Sequence, residues 1–116
     1  MVTAQDLART LRARSAERRA AAEARAERLR AGLPRAAKLL AERYHARRVV
    51  LFGSLVDGTF SERSDVDLAV EGMPSAPYFD ALADLMTLFG GPVDLVRLEE
   101  AAPDLRAYIE AEGRTL

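Results

Sequence analysis

The chain has 116 residues, no cysteine, no tryptophan and a single histidine, His45, which excludes a disulfide framework, a thiolate nucleophile and a sulfur-ligated zinc site. No stretch approaches the ~20 apolar residues of a membrane span and the N-terminus shows no signal-peptide pattern, so a soluble cytoplasmic protein of one domain is expected. The net charge of -1 hides a division: residues 1–48 hold 13 Lys/Arg against 5 Asp/Glu, whereas residues 49–116 hold 4 against 13.

From Thr3 to Ala31 the chain has no Gly or Pro and is rich in Ala, Arg, Leu and Glu; its Thr3-Ala4-Gln5-Asp6 opening resembles a capping box, and one long helix is predicted. Leu7, Leu11, Ala22, Ala26, Leu29 and Leu33 form a thin apolar stripe flanked by arginines, suited to packing on another helix. At 1.5 Å per residue such a helix spans about 40 Å, longer than the body the remaining residues would form, so part of it should overhang. Gly32 and Pro34 predict a stop and a restart, followed by a second helix to about Ala46 with Leu33, Ala36, Ala37, Leu40, Ala41 and Tyr44 facing the core.

Val49-Val50-Leu51-Phe52 reads as a buried strand ending at Gly53-Ser54, with a short helix after it to about Phe60. Ser64 to Glu71 alternates, with Val66, Leu68 and Val70 on one face and Asp65, Asp67 and Ala69 on the other, as in a second strand. A helix carrying Tyr78, Phe79, Leu82, Leu85, Met86 and Phe89 on one face follows, ended by Gly90-Gly91-Pro92. Val93 to Arg97 is a third strand, and Pro103 opens a last helix with Leu105, Tyr108 and Ile109 inward and Gly113 as its stop. His45 is expected at a helix end, and Tyr44, Tyr78 and Tyr108 are expected to pack.

The chemistry concentrates at three points. A glycine at a strand end permits close backbone approach, and the amides of the helix after it, with the Ser54 hydroxyl, can hold phosphate oxygens. Asp65 and Asp67, two apart on one strand, point to the same face and can converge on a pair of Mg²⁺ ions. Asp94 on a neighbouring strand can complete that site and take the proton of an attacking hydroxyl.

Leu51-Phe52-Gly53-Ser54, the ten-residue gap, Ser64-Asp65-Val66-Asp67-Leu68 and Val93-Asp94-Leu95-Val96 resemble the minimal nucleotidyltransferases (MNT) of the DNA polymerase beta superfamily. The resemblance covers about residues 33–116, and implies a nucleotidyltransferase domain there with residues 1–32 as a helical arm outside it. It implies an α/β (α+β) fold with a small mixed three-stranded sheet and packed helices. It also implies transfer of AMP from ATP to a hydroxyl, with two Mg²⁺ ions on the catalytic carboxylates Asp65, Asp67 and Asp94. Nucleotide-binding positions would be Gly53, Ser54, Gly58 and Arg63. Small members of the family pair with HEPN-domain toxins as antitoxins, some transferring AMP to a toxin tyrosine.

The sequence departs from the family at one point: Leu55, Val56 and Asp57 precede Gly58 where many members carry an arginine. An acidic Asp57 weakens phosphate binding unless Arg63 or an arginine of the arm or a partner offsets it. A second reading is therefore an antitoxin that neutralises its partner by binding alone. The arm has no aromatic residue to stack on bases and its arginines lie on both sides of the stripe, so protein contacts, including self-association through this helix, are expected before nucleic acid.

Overall fold

The structure, a computed structural model, describes residues 1–116. Its elements are α1 (Ala4–Glu42), β1 (Arg48–Phe52), α2 (Ser54–Asp57), β2 (Val66–Glu71), α3 (Tyr78–Phe89), β3 (Val93–Arg97), a 3-10 turn at Leu98–Glu100, α4 (Pro103–Glu112) and β4 (Arg114–Thr115). The sheet order is β3-β2-β1-β4. β1 pairs antiparallel with β2 and β4, while β2 and β3 run parallel, joined through α3 as a parallel pair requires. The expected mixed sheet is present, with a fourth strand: beyond Gly113 the chain extends and Arg114 and Thr115 add to the free edge of β1.

The two helices expected on either side of Gly32 and Pro34 are one. α1 runs unbroken for 39 residues, starting from Thr3, whose side chain accepts from the Asp6 amide while Asp6 accepts from the Thr3 amide. Gly32 is a contact residue, not a stop: a Cβ there would lie 3.1 Å from Leu88 Cδ2 and 3.1 Å from Phe89 Cε1 of α3. Pro34 costs about 3 kcal/mol in a helix interior and Gly about 1. Burial of Leu29, Leu33 and Leu40 on the same face offsets this, each being worth about 1.5–3 kcal/mol.

Two cores flank the sheet. On one face α1 (Ala26, Leu29, Leu33, Ala36, Leu40) and α3 (Ala81, Leu85) cover Val49, Leu51, Val66, Leu68, Val70 and Leu95. On the other, α4 sets Ile109 against Val50, Phe52, Ala69 and Leu98. Ion pairs fasten that side, with Arg48 bridging Glu71 and Glu110, and Arg106 standing 3.6 Å from Glu71.

Several side chains expected to be inward are not. Ala41 and, on α3, Phe79 and Met86 are exposed, as are Leu105 and Tyr108 of α4. Helical spacing identifies a shared face but not whether a neighbouring layer reaches it. Tyr44 does pack, and its hydroxyl donates to Asp84 of α3. His45, three residues beyond the end of α1, takes the left-handed region, at φ 63°.

α1 is buried only from Ala22 onward, and Leu7 and Leu11 are exposed, so the expected overhang is present. It stretches the molecule to 63 × 29 × 20 Å and gives a radius of gyration of 17.6 Å, against the ~13 Å typical of a compact chain of this length. No helix is long and apolar enough to cross a membrane.

Because Pro34 is exposed and lies within a helix that forms regardless, Pro34→Ala should stabilise the protein by about 1–3 kcal/mol with an unchanged far-ultraviolet spectrum. A lowered melting temperature would show that the proline is required.

Candidate active site

The acidic face follows from strand register. Asp67 lies opposite Phe52 on β1 and beside Asp94 on β3. Ala69, two residues on, packs under α4, so Asp67 points to the same side, at the sheet end that α4 leaves open. Asp67 is half-buried, while Asp65 just before β2 and Asp94 on β3 are exposed.

Gly53 ends β1 with φ 77° and ψ -150° and starts α2. A Cβ at this position would lie 2.2 Å from Asp67 Oδ2, so only glycine lets the turn and the carboxylate meet. The Gly53 carbonyl accepts from the amides of Val56 and Asp57 at 3.0 and 3.1 Å, which folds the turn over Ser54.

Burial, and then the negative charges of Asp94, Asp65 and Asp57, push the Asp67 carboxyl up to about 6 from 3.8. These carboxylates are not drawn into a ready-made group of three metal ligands. Like charges without a counter-ion repel, and the all-oxygen donor set with phosphate to follow is the kind Mg²⁺ takes. The donor chemistry and the Gly53 cradle therefore fit a magnesium-nucleotide.

Asp57 is engaged elsewhere. Its carboxylate accepts from the Thr59 amide at 2.9 Å and from the Thr59 hydroxyl at 2.6 Å, which holds it below the usual carboxylate range. Gly58, with φ 84°, caps α2 and lines a groove against Ala22, Ala26 and Arg30 of α1. Arg63 lines an adjoining groove with Arg18, Arg19 and Phe60, so the structure places it with the arm and not with Gly53.

Two arginines missed at the sequence level hold the loop that carries the motif. Arg25 donates to the Ser64 carbonyl at 2.8 Å and lies over the Phe60 ring at 5.2 Å, and Arg30 donates to the Leu55 carbonyl at 3.2 Å. Their signal was adjacency to Ala26 and Leu29 on the buried stripe. A cleft of about 320 Å³ opens beside Gly53, lined also by Val56, Asp57, Tyr108 and Glu112.

A mixed sheet, a Gly-Ser turn feeding a short helix and acidic side chains side by side on β2 and β3 define a nucleotidyltransferase of the polymerase beta type. The profile described as "Polymerase beta, Nucleotidyltransferase" matches residues 35–116, well over half of the chain, and the chain belongs to that family. A solved minimal nucleotidyltransferase is 35% identical with a TM-score of 0.69, matched over 78% of this chain and 95% of that one. A toxin–antitoxin complex with AMP-PNP contains a chain 24% identical, with a TM-score of 0.61 over 70% of this chain and 69% of that one. A tri-AMPylated HEPN toxin from Shewanella oneidensis in complex with its MNT antitoxin provides another, 22% identical, with a TM-score of 0.59 over 75% and 70%. These last two likenesses are of fold. No curated protein matches the chain.

The raised Asp67 carboxyl makes a pH prediction. The folded state holds this proton more tightly than the unfolded chain, so native stability falls as pH rises from about 4 through about 6. Without divalent metal, Asp67→Asn should gain about 1 kcal/mol over the parent at about pH 7.5, after allowance for solvent screening, and nothing near pH 4. Urea unfolding at the two pH values reads this directly, and a gain independent of pH would contradict it. Gly53→Ala should lose at least about 1–3 kcal/mol from backbone strain alone.

Proposed function

We propose that the chain transfers AMP from ATP to a hydroxyl, that of a tyrosine, of a HEPN-type toxin, and serves as the antitoxin of a type VII-like toxin–antitoxin module. The observation that carries this is the juxtaposition of Gly53, Asp67 and Asp94 at one end of the sheet. The similar solved complexes, one with AMP-PNP and one with an AMPylated toxin, support the nucleotide and the partner. The body of the domain, with α1 from Ala22 onward packed on it, would handle the nucleotide, and the overhanging part of α1 before Ala22 would reach the partner.

Asp65, Asp67 and Asp94 would hold two magnesium ions, which when bound neutralise triphosphate charge and polarise the reacting phosphorus. The Ser54 hydroxyl and the turn amides after Gly53 hydrogen-bond phosphate oxygens. Asp94 accepts the proton of the acceptor hydroxyl as its oxygen bonds to the α-phosphorus. The bond from that phosphorus to the bridging oxygen breaks, and pyrophosphate leaves with the electron pair. Arg25 and Arg30 keep the segment between β1 and β2, which carries Ser54 and the turn amides, in place by holding its carbonyls.

With Mg²⁺, ATP and the HEPN-type partner, the partner's mass should rise by one AMP or a small multiple, and Asp65→Asn or Asp67→Asn should abolish the gain. An unchanged partner mass would overturn the transfer. The second reading, neutralisation by occlusion, is favoured by Asp57, which stands where a phosphate-binding arginine is common, and by the protruding arm. If Asp65→Asn neutralises the toxin as fully as the parent, occlusion is the mechanism; loss of neutralisation with partner binding retained assigns it to transfer.

A further inference from the structure

α4 is fastened to the sheet on one side and free on another. Ile109 is buried against Phe52 and Val50, and Glu110 pairs with Arg48. Tyr108 and Glu112, four residues apart and hence on one helical face, are directed instead into the cleft that begins at Gly53. Tyr108 is 40% exposed, although helical spacing placed it among core residues.

The charge of this cleft selects its occupant. Asp57 and Glu112 are acidic, and no lysine or arginine lines it. A phosphate would be repelled there, so the triphosphate belongs on the carboxylate side of Gly53, where cations can bridge it. A planar, uncharged ring bearing an amine suits an exposed aromatic face flanked by acceptor-only carboxylates. Gly53 is shared by the cleft and the carboxylate cluster, so a single nucleotide can occupy both.

Resting on the nucleotide reading above, we propose that the cleft formed by Tyr108, Glu112, Val56 and Asp57 is the nucleobase subsite, with Tyr108 as its stacking platform. Amine-bearing purines fill it best: the larger ring covers more of the tyrosine, and exocyclic N–H groups meet the carboxylates. Uracil, smaller and without an exocyclic amine, fits least. Tyr108 thereby selects the nucleotide, while the catalytic carboxylates treat all triphosphates alike.

Equilibrium binding with Mg²⁺ to the full-length parent, Tyr108→Ala and Tyr108→Phe tests this with two probes, ATP and base-free tripolyphosphate. Tyr108→Ala should weaken ATP binding about 5- to 100-fold, whereas Tyr108→Phe should stay within about twofold of the parent. Tripolyphosphate should bind all three proteins equally, and ATP should bind the parent more tightly than UTP. Because the chain lacks tryptophan, quenching of tyrosine emission by ATP should also be lost in Tyr108→Ala. If the parent binds ATP and Tyr108→Ala binds it equally well, or loses tripolyphosphate in step with ATP, the subsite is overturned while the nucleotide reading stands. If the parent binds neither probe, the nucleotide reading itself fails.

Discussion

The register of β2 decides both the fold and the chemistry. β2 is hydrogen-bonded on both edges and covered on both faces, with Val66, Leu68 and Val70 on the α1 side and Ala69 on the α4 side. Side chains alternate along a strand, so a slip of one residue would turn Asp67 into the apolar layer under α1 and carry two valines and a leucine out of that layer. The hydrophobic layer therefore fixes where the carboxylate points. Gly53 then meets Asp67 because β1 ends opposite it, at Phe52.

That arrangement disfavours the charge on Asp67. Partial burial, and then three acidic neighbours, make the ionised form of Asp67 unfavourable in the absence of a cation. The arginines of α1 do not relieve this directly, since Arg25 and Arg30 spend their donors on backbone carbonyls of the loop between β1 and β2. The uneven charge of the chain thus has two separate uses. Its acidic half contains a cluster whose ionised form is unfavourable on its own, and its basic half contributes side chains that hold the segment between β1 and β2 and others that face solvent.

Much of this was legible in the sequence. The apolar run before Gly53, the alternation from Ser64 to Glu71 and the strand around Asp94 are strong periodic signals, and they locate the three carboxylates on strands or at their ends. Less legible was whatever depends on distant partners. Gly32 and Pro34 are local stop signals, overridden by leucines packed against α3 and the sheet. β4 has two residues, too few for any period, and forms because β1 offers an unpaired edge. Phe79, Met86, Leu105 and Tyr108 obey helical spacing but face sectors that no layer covers. The pinning roles of Arg25 and Arg30 depend on carbonyls 39 and 25 residues away.

A helix without a joint between its free and buried portions acts as a ruler. Leu7 and Leu11 lie on the same rigid rod as Arg25, and at 1.5 Å per residue Leu7 is about 27 Å along its axis from the point where that rod grips the motif loop. Any surface that grasps the free end is therefore held at a set distance and a set rotation from the carboxylates. Adding or removing a single residue in the exposed stretch would turn the grasping face by about 100° while leaving the buried end untouched.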